Sequence, residues 1–482
     1  MILKIQNFIK EKISDKAMVI IGISLLCIYY FVGLLSYITY PIKSIYKMLV
    51  STSILAIFLR AFLCLLVVLY SIIIVIKYKP KIKWNWLIIF SFSLLMTLVS
   101  ILISPMTYEY LYVESLYKVV HAVRINPGLP KTIVMFLSSI ADFTFAFCIL
   151  FILPNVINDK RKLLFLLLPI IVICLAECCY SFLVERDCYL YMLSHPDDPF
   201  GGYGNEVGAS FGNKEDWGAF LMISISSSVA SIIFLGKSKK ELILKILIGL
   251  CIIVFSVFVL LSLCKTAILA LLLFSCILIF GVVNYFHNNY KKLFIFSCIF
   301  LVIVFAFIIC LFATGGLGIS VLSKFINYFQ KLIIERSGSA IEGRSALWLN
   351  YLENVRGYNL FFGMGKTYVN AYTRSLVKSG QSLIHNGFAF FFAAYGLFGF
   401  LILISLILII LKNIIHVWND SKILVFVLLA IFSSSLIFML AEAEVLVVSS
   451  STPIFVYNLL LVILPAGIKY KNNKRMEEKL ND

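Results

Sequence analysis

Apolar residues in this chain gather into long unbroken runs, unlike the alternating or 3.6-residue patterns of half-buried elements. A helix needs about 20 apolar residues to cross about 30 Å of hydrocarbon. Runs of that order occupy 17–40, 49–76, 86–106, 133–154, 163–184, 217–235, 241–262, 266–284, 293–313, 386–411, 423–441 and 453–468. The pattern predicts an all-α polytopic membrane protein of about 12 transmembrane helices. Two long polar stretches interrupt the runs, 185–216 and 314–385, with a lesser one at 107–132. Inside the second, Leu317, Val321, Leu322, Phe325, Ile326, Phe329 and Leu332 fall on one helical stripe, with Lys324, Asn327, Gln330, Lys331 and Glu335 opposite. That segment, 317–335, is expected to be a helix lying in the membrane interface rather than through it. The Ser-Gly-Ser at 337–339 ends it, and a second short helix is expected from Arg344 to Arg356, stopped by Gly357.

Composition agrees. With 62% hydrophobic and 13% charged residues in 482 positions, the chain has more apolar surface than a soluble core can enclose, so the bilayer is part of its solvent. A net charge of +17 would suit nucleic acid if it formed a basic stripe among exposed aromatics. Here the basic residues sit in short segments between apolar runs, so nucleic acid is not expected as a partner and the charges are topology signals. With the N-terminus inside, the inner segments hold Lys77, Lys79, Lys81 and Lys83; Lys160, Arg161 and Lys162; Lys237, Lys239 and Lys240; Lys291 and Lys292; Lys412 and Lys422; and the tail from Lys469 to Lys479. The opposite orientation would place Glu206, Glu215 and Asp216 inside. Both termini are therefore expected in the cytoplasm and both long polar stretches outside. Lys4, Lys10, Lys12 and Lys16 precede an apolar run too long for a signal peptide, without a small-residue cleavage site, so a retained first span is expected. The expected organisation is spans 1–5 in 1–184, an outer loop at 185–216, spans 6–9 in 217–313, a large outer loop at 314–385, and spans 10–12 with a cytoplasmic tail in 386–482. The 12 cysteines lie almost all inside apolar runs without metal-ligand spacing, and are expected to pack as small apolar groups.

Chemistry concentrates in the large outer loop and the run after it. Arg344, Arg356, Lys366, Arg374, Lys378 and His385 are gathered there. Each cation taken alone is consistent with a solvated loop charge, but the group suits diphosphate oxygens, which planar guanidinium forks bind well. The Gly363-Met364-Gly365 turn either exposes backbone N–H groups toward the same anion or is a plain turn. His385 directly precedes the next apolar run. It is either a proton acceptor near neutral pH or an interfacial residue at a helix start, with Asn386 and Gly387 fitting that start. Gly396 and Gly399 thin the same helix, where it can bend or admit a close neighbour. Arg60, Asp142 and Glu177 lie inside runs. Buried charges in lipid need partners, so either Arg60 pairs with Asp142 or one of the two lines a lipid-carrier cavity, which Glu177 is expected to border. Glu442 and Glu444 are expected at the rim.

Four segments resemble, in order, the O-antigen ligase and O-antigen polymerase superfamily of bacterial envelope glycosyltransferases: SFGNKEDWGAFL at 210–221, SLCKTAILAL at 262–271, GRSALW at 343–348 leading to GMGK at 363–366, and HNGF with YGLFG at 385–399. The first five spans resemble it only in number and hydropathy. The resemblance implies a GT-C-like membrane fold with two large extracytoplasmic loops, multi-pass in the bacterial cytoplasmic membrane. It implies that Arg344 binds a lipid-linked diphosphate and that His385 acts as base on the acceptor. Lys265 stands where the family usually has arginine. Lysine keeps the charge but loses the bidentate fork, so diphosphate binding there is either weaker or shared with Arg374 or Arg186, while Asn213 and Lys366 complete the substrate-binding set. No cofactor and no metal are implied. The implied partners are an undecaprenyl-diphosphate-linked glycan, an acceptor glycan, membrane lipid and a chain-length regulator. Polymerisation of repeat units is the leading activity, ligation to a different acceptor its rival. A lipid-linked oligosaccharide flippase and a non-catalytic scaffold are the readings from other classes.

Overall fold

Wherever the structure describes one of the long apolar runs, the run is helical. The structure is a computed structural model that describes residues 13–22, 24–25, 54–78, 110–114, 120–124, 160–195, 208–209, 214–236, 238–289, 359–365, 386–418 and 421–441, with isolated positions between 87 and 156 and at 348, 355, 357 and 369. The elements are α1 (Ile54–Tyr78), β1 (Tyr110–Glu114), β2 (Val120–Arg124), α2 (Lys160–Val184), α3 (Arg186–Ser194), α4 (Lys214–Phe234), α5 (Lys239–Leu261), α6 (Lys265–Asn289), α7 (Asn359–Phe362), α8 (Gly387–His416) and α9 (Lys422–Ala441).

Among the described residues, six helices are long and apolar enough to cross a membrane, and they fall on α2, α4, α5, α6, α8 and α9. They coincide with the runs at 163–184, 217–235, 241–262, 266–284, 386–411 and 423–441. The protein is an all-α polytopic membrane protein in these spans. The run at 49–76 overlaps α1, which continues to Tyr78; the runs at 17–40, 86–106 and 133–154 are described in part, and those at 293–313 and 453–468 lie outside the described residues. So does the expected interfacial helix at 317–335, while of the short helix expected from Arg344 only Trp348, helical, and Val355 are described. The lesser polar stretch adds something the apolar runs did not announce. β1 and β2 pair antiparallel with Tyr110 opposite Arg124 and Glu114 opposite Val120. A two-stranded ribbon leaves strand edges unpaired, which suits a segment between spans better than one within them.

The chain divides into two compact units, one of residues 1–166, 344–413 and 438–482, the other of residues 167–343 and 414–437. In the second, α4 is the enclosed helix, packed against α5 and α6. Its serines are the reason it can be buried while carrying hydroxyls. Ser224, Ser226, Ser228 and Ser231 each donate to the carbonyl four residues back, at 2.7–2.8 Å, so these four hydroxyls turn no polar hydrogen toward apolar neighbours, while the fifth, Ser227 Oγ, is buried without a hydrogen-bond partner among the described residues. α5 presents a broad exposed apolar face through Leu242, Ile246, Leu250 and Ile253, the expected lipid side. It starts on a capping box in which Ser238 Oγ accepts from the Glu241 N–H at 3.3 Å and Glu241 Oε2 accepts from the Ser238 N–H at 3.2 Å. α6 and α9 approach closely at Gly281, where a Cβ would lie 2.5 Å from Phe426 Cβ, and Ser434 Oγ on α9 donates to the Ala270 carbonyl at 3.3 Å.

In the first unit, the N-terminal helical residues are tied to the end of α1. Asp15 pairs with Lys77 at 3.0 Å and accepts from Tyr78 Oη at 2.6 Å, while Tyr70 Oη donates to the Met18 carbonyl at 2.9 Å.

Candidate functional site

The second unit positions Lys265 by a turn too short for any slack. α5 ends at Leu261, Ser262 Oγ donates to the Val259 carbonyl at 2.8 Å and accepts from the Cys264 N–H at 3.3 Å, and Leu263 adopts φ 54°, a left-handed conformation rare for a residue with a side chain. Lys265 is then the first residue of α6 and is half-buried. Gly218 of α4 packs on this corner. A Cβ there would come within 2.7 Å of Ala267 Cβ and 3.1 Å of Cys264 Cβ. Aromatic edges close the same corner, Tyr189 and Trp217 each meeting the Phe258 ring, at centroid distances of 5.8 and 6.3 Å.

Tyr189 belongs to a network that the sequence did not single out. Glu185, at the bend between α2 and α3, accepts from the backbone N–H groups of Gly208 and Ala209, both at 2.9 Å, through Oε1. Through Oε2 it accepts from Ser181 Oγ at 2.5 Å and Tyr189 Oη at 3.2 Å. One carboxylate thus holds the last part of the 185–216 stretch to the end of α2, with Ala209 held at φ 49°. Burial, and then the Glu185 carboxylate, push the Tyr189 phenol well above the ordinary tyrosine range, so it stays a proton donor. The signal was present as the spacing Ser181, Glu185, Tyr189. The backbone bonds from Glu185 N to Ser181 O and from Tyr189 N to Glu185 O carry the helical repeat through the bend and put all three on one face.

The first unit contains a different construction. α8 is interrupted at Gly396, with φ 67° and ψ −163°. Such a break deprives carbonyls one turn earlier of their helical donors. The Gly-Met-Gly turn supplies replacements, Met364 N–H donating to the Ala393 carbonyl at 2.8 Å and Gly365 N–H to the Ala394 carbonyl at 3.1 Å, while Gly363 N–H bonds to the Asn359 carbonyl at 2.8 Å. Gly363 and Gly396 lie backbone against backbone. A Cβ on Gly363 would sit 2.4 Å from the Ala394 carbonyl carbon, and one on Gly396 2.4 Å from that of Phe361. The anion-cradling alternative for this turn is therefore corrected. All three of its N–H groups are already bonded within the protein. Ahead of the break, Asn386 caps α8 by accepting from the Ala389 N–H at 2.9 Å through Oδ1, as its place before the run suggested. That fixes the start of the helix two residues after His385.

Of the expected site residues, Lys265 and Arg186 are described, both in the second unit, and Arg186 is exposed at the start of α3. His385, Arg344, Arg374, Lys366 and Asn213 lie outside the described residues. Arg60 lies in α1, its side chain outside the description, as is Asp142, its candidate partner, while Glu177 is half-buried in α2. Glu442 and Glu444 also lie outside the described residues. No curated protein matches the chain. Residues 249–404, which carry the Lys265 corner, the paired glycines and the Asn386 cap, match the family model of the O-antigen ligases, and over that stretch the chain is similar to the O-antigen ligase and polymerase superfamily.

Proposed function

We propose that the protein polymerises undecaprenyl-diphosphate-linked oligosaccharide repeat units into O-antigen or capsular polysaccharide at the outer face of the bacterial cytoplasmic membrane. The family match over residues 249–404 is the observation that carries this, since it supports an O-antigen ligase-like membrane enzyme. The chemistry of the residues fits. An acceptor hydroxyl attacks the anomeric carbon of the lipid-linked glycan, the bond from that carbon to the diphosphate oxygen breaks, and configuration inverts. His385 takes the hydroxyl proton, and Arg344 with Lys265, joined by Arg374, Arg186 and Lys366, stabilises the charge developing on the diphosphate. Asn213, which immediately precedes α4 in sequence, belongs to the same substrate-binding set. No metal is needed, because cationic side chains supply the electrostatic part. A carrier-bound donor is apt for an outer-face site, where nucleotide sugars are not available. Both termini are then cytoplasmic, and a chain-length regulator is the natural protein partner.

Ligation of the finished glycan to another surface acceptor is the second reading, favoured by the description of the matching family itself. Flipping of the lipid-linked unit draws on the broken helix α8, because transporters present the polar groups of such breaks to their substrates. Here Met364 and Gly365 already satisfy the Ala393 and Ala394 carbonyls. Replacement of His385 or Arg344 by alanine in the native organism discriminates the three. Loss of long chains with single units still attached supports polymerisation, loss of all attachment supports ligation, and precursor trapped on the cytoplasmic side refutes both.

A further inference from the structure

The four-residue helix α7 falls inside the long polar stretch at 314–385, yet three of its residues are large and exposed. Leu360 is 39%, Phe361 44% and Phe362 49% accessible. Their neighbour is α8. Phe361 and Phe362 meet the ring of Phe398 at centroid distances of 6.0 and 5.5 Å. Phe398 is itself exposed and begins a stripe on α8 that continues through Leu401 and Leu408, the latter 58% accessible. Residues of α8 before the break at Gly396 are buried or half-buried, with none exposed. The change of environment therefore coincides with the break. The part beyond it, residues 397–416, is about 30 Å long at about 1.5 Å per residue, which matches the hydrocarbon thickness of a bilayer. Phe398 and Leu401 then belong to the first turn inside the hydrocarbon, and Phe361 and Phe362 lie at the same level.

We infer that α7 is a re-entrant turn inserted among the phospholipid acyl chains of the leaflet nearest Asn386, so that the 314–385 stretch is not wholly aqueous. Two features of its backbone fit that place. Non-helical chain at membrane depth requires its polar groups to be satisfied within the protein, and the N–H groups of Leu360, Gly363, Met364 and Gly365 are bonded to the carbonyls of Gly357, Asn359, Ala393 and Ala394. The exposed side chains continue a face that already meets lipid, so acyl chains, which wet that face at no loss of apolar contact, are the occupant the surface fits. Sited beside the clasp that seats the start of α8, the turn anchors this part of the stretch to the bilayer.

The test places the photo-crosslinking residue p-benzoylphenylalanine at Phe361 or Phe362 in the full chain, reconstituted in vesicles of phosphatidylethanolamine and phosphatidylglycerol, with Leu408 as the lipid-facing control and buried Phe391 as the enclosed one. Mass spectrometry is expected to find acyl-chain adducts at Phe361 and Phe362 as abundant as at Leu408 and severalfold above Phe391. Adducts confined to protein segments, or lipid adducts no more abundant than at Phe391, overturn the inference. So does a result in which, for protein taken from native membranes, only polyprenyl carrier is captured. A second readout uses Phe362→Trp. Its added fluorescence is expected to be quenched by brominated acyl chains and spared by aqueous acrylamide, and the reverse order overturns the inference.

Discussion

Each of the two units holds a non-helical link beside residues of interest, and the two are made of opposite materials. In the first unit the clasp between Gly363 and Gly396 is backbone against backbone, and what it requires is the absence of side chains. In the second, the tether from Glu185 to Gly208 and Ala209 is a side chain gripping backbone, and what it requires is a particular carboxylate. A link of the first kind has little tolerance, because any side chain at Gly363 or Gly396 would meet backbone at a φ that favours glycine. A link of the second kind can be weakened in steps.

The largest effect is expected from Gly396→Ala or Gly363→Ala. Each brings a Cβ to 2.4 Å from carbonyl carbon or oxygen at a left-handed φ, and the combined clash and strain should destabilise the protein by about 3 kcal/mol or more. Thermal unfolding in detergent measures it. A fall under about 1 kcal/mol would show that the clasp yields and would erase the contrast between the units. Glu185→Gln follows. Replacing an ionised acceptor that takes four bonds with an amide should cost about 2 kcal/mol, and limited proteolysis should find the chain near Gly208 newly accessible. Asn386→Ala removes the α8 cap at about 1 kcal/mol, while Asn386→Asp retains it; equal losses in both would separate the cap from any contact made by the amide nitrogen.

Tyr189→Phe removes one donor to Glu185, again about 1 kcal/mol at neutral pH. Its pH dependence carries the sharper information. The folded-state value of this phenol is raised, so its contribution is complete below the ordinary value of 10.0 and is lost only as pH climbs beyond it. The stability difference between wild type and Tyr189→Phe should be level from neutral pH to about pH 9 and narrow above about pH 10. A difference that stays level through pH 10 and above would mean the phenol is not enclosed. The smallest effect is expected at Gly249 on the exposed face of α5, where a Cβ meets nothing within 4 Å. Gly249→Ala should be neutral or stabilising by less than about 1 kcal/mol, which makes it the control for glycine replacement in general.

What the sequence made legible follows from the range of each interaction. Span positions were readable because the bilayer imposes length and apolarity on contiguous residues, and α2, α4, α5, α6, α8 and α9 match their runs within a few residues. The Asn386 cap was readable because a cap involves only its own next turn. Gly396 was marked as a place to bend, but the partner filling the bend, about thirty residues earlier in sequence, left no local trace, and the Gly-Met-Gly turn was open to an anion-binding reading as a result. The Glu185 tether was missed for a related reason. Beside Arg186 and Asp187 it looks like one more solvated charge, and only its spacing from Ser181 and Tyr189 hints at a shared face. The Ser238 to Glu241 capping box could have been found from its four-residue signature alone.

The enclosed position of α4 bears on how the protein is made. It is the least apolar of the six helices, and four of its five serine hydroxyls are quietened by its own carbonyls rather than by neighbours. Yet α5 and α6, against which it packs, emerge from the ribosome after it. A nascent α4 is thus offered to lipid before its proper surroundings exist, and self-contained serine bonds are what let it wait there. Biogenesis, rather than turnover, is the stage at which that arrangement matters most.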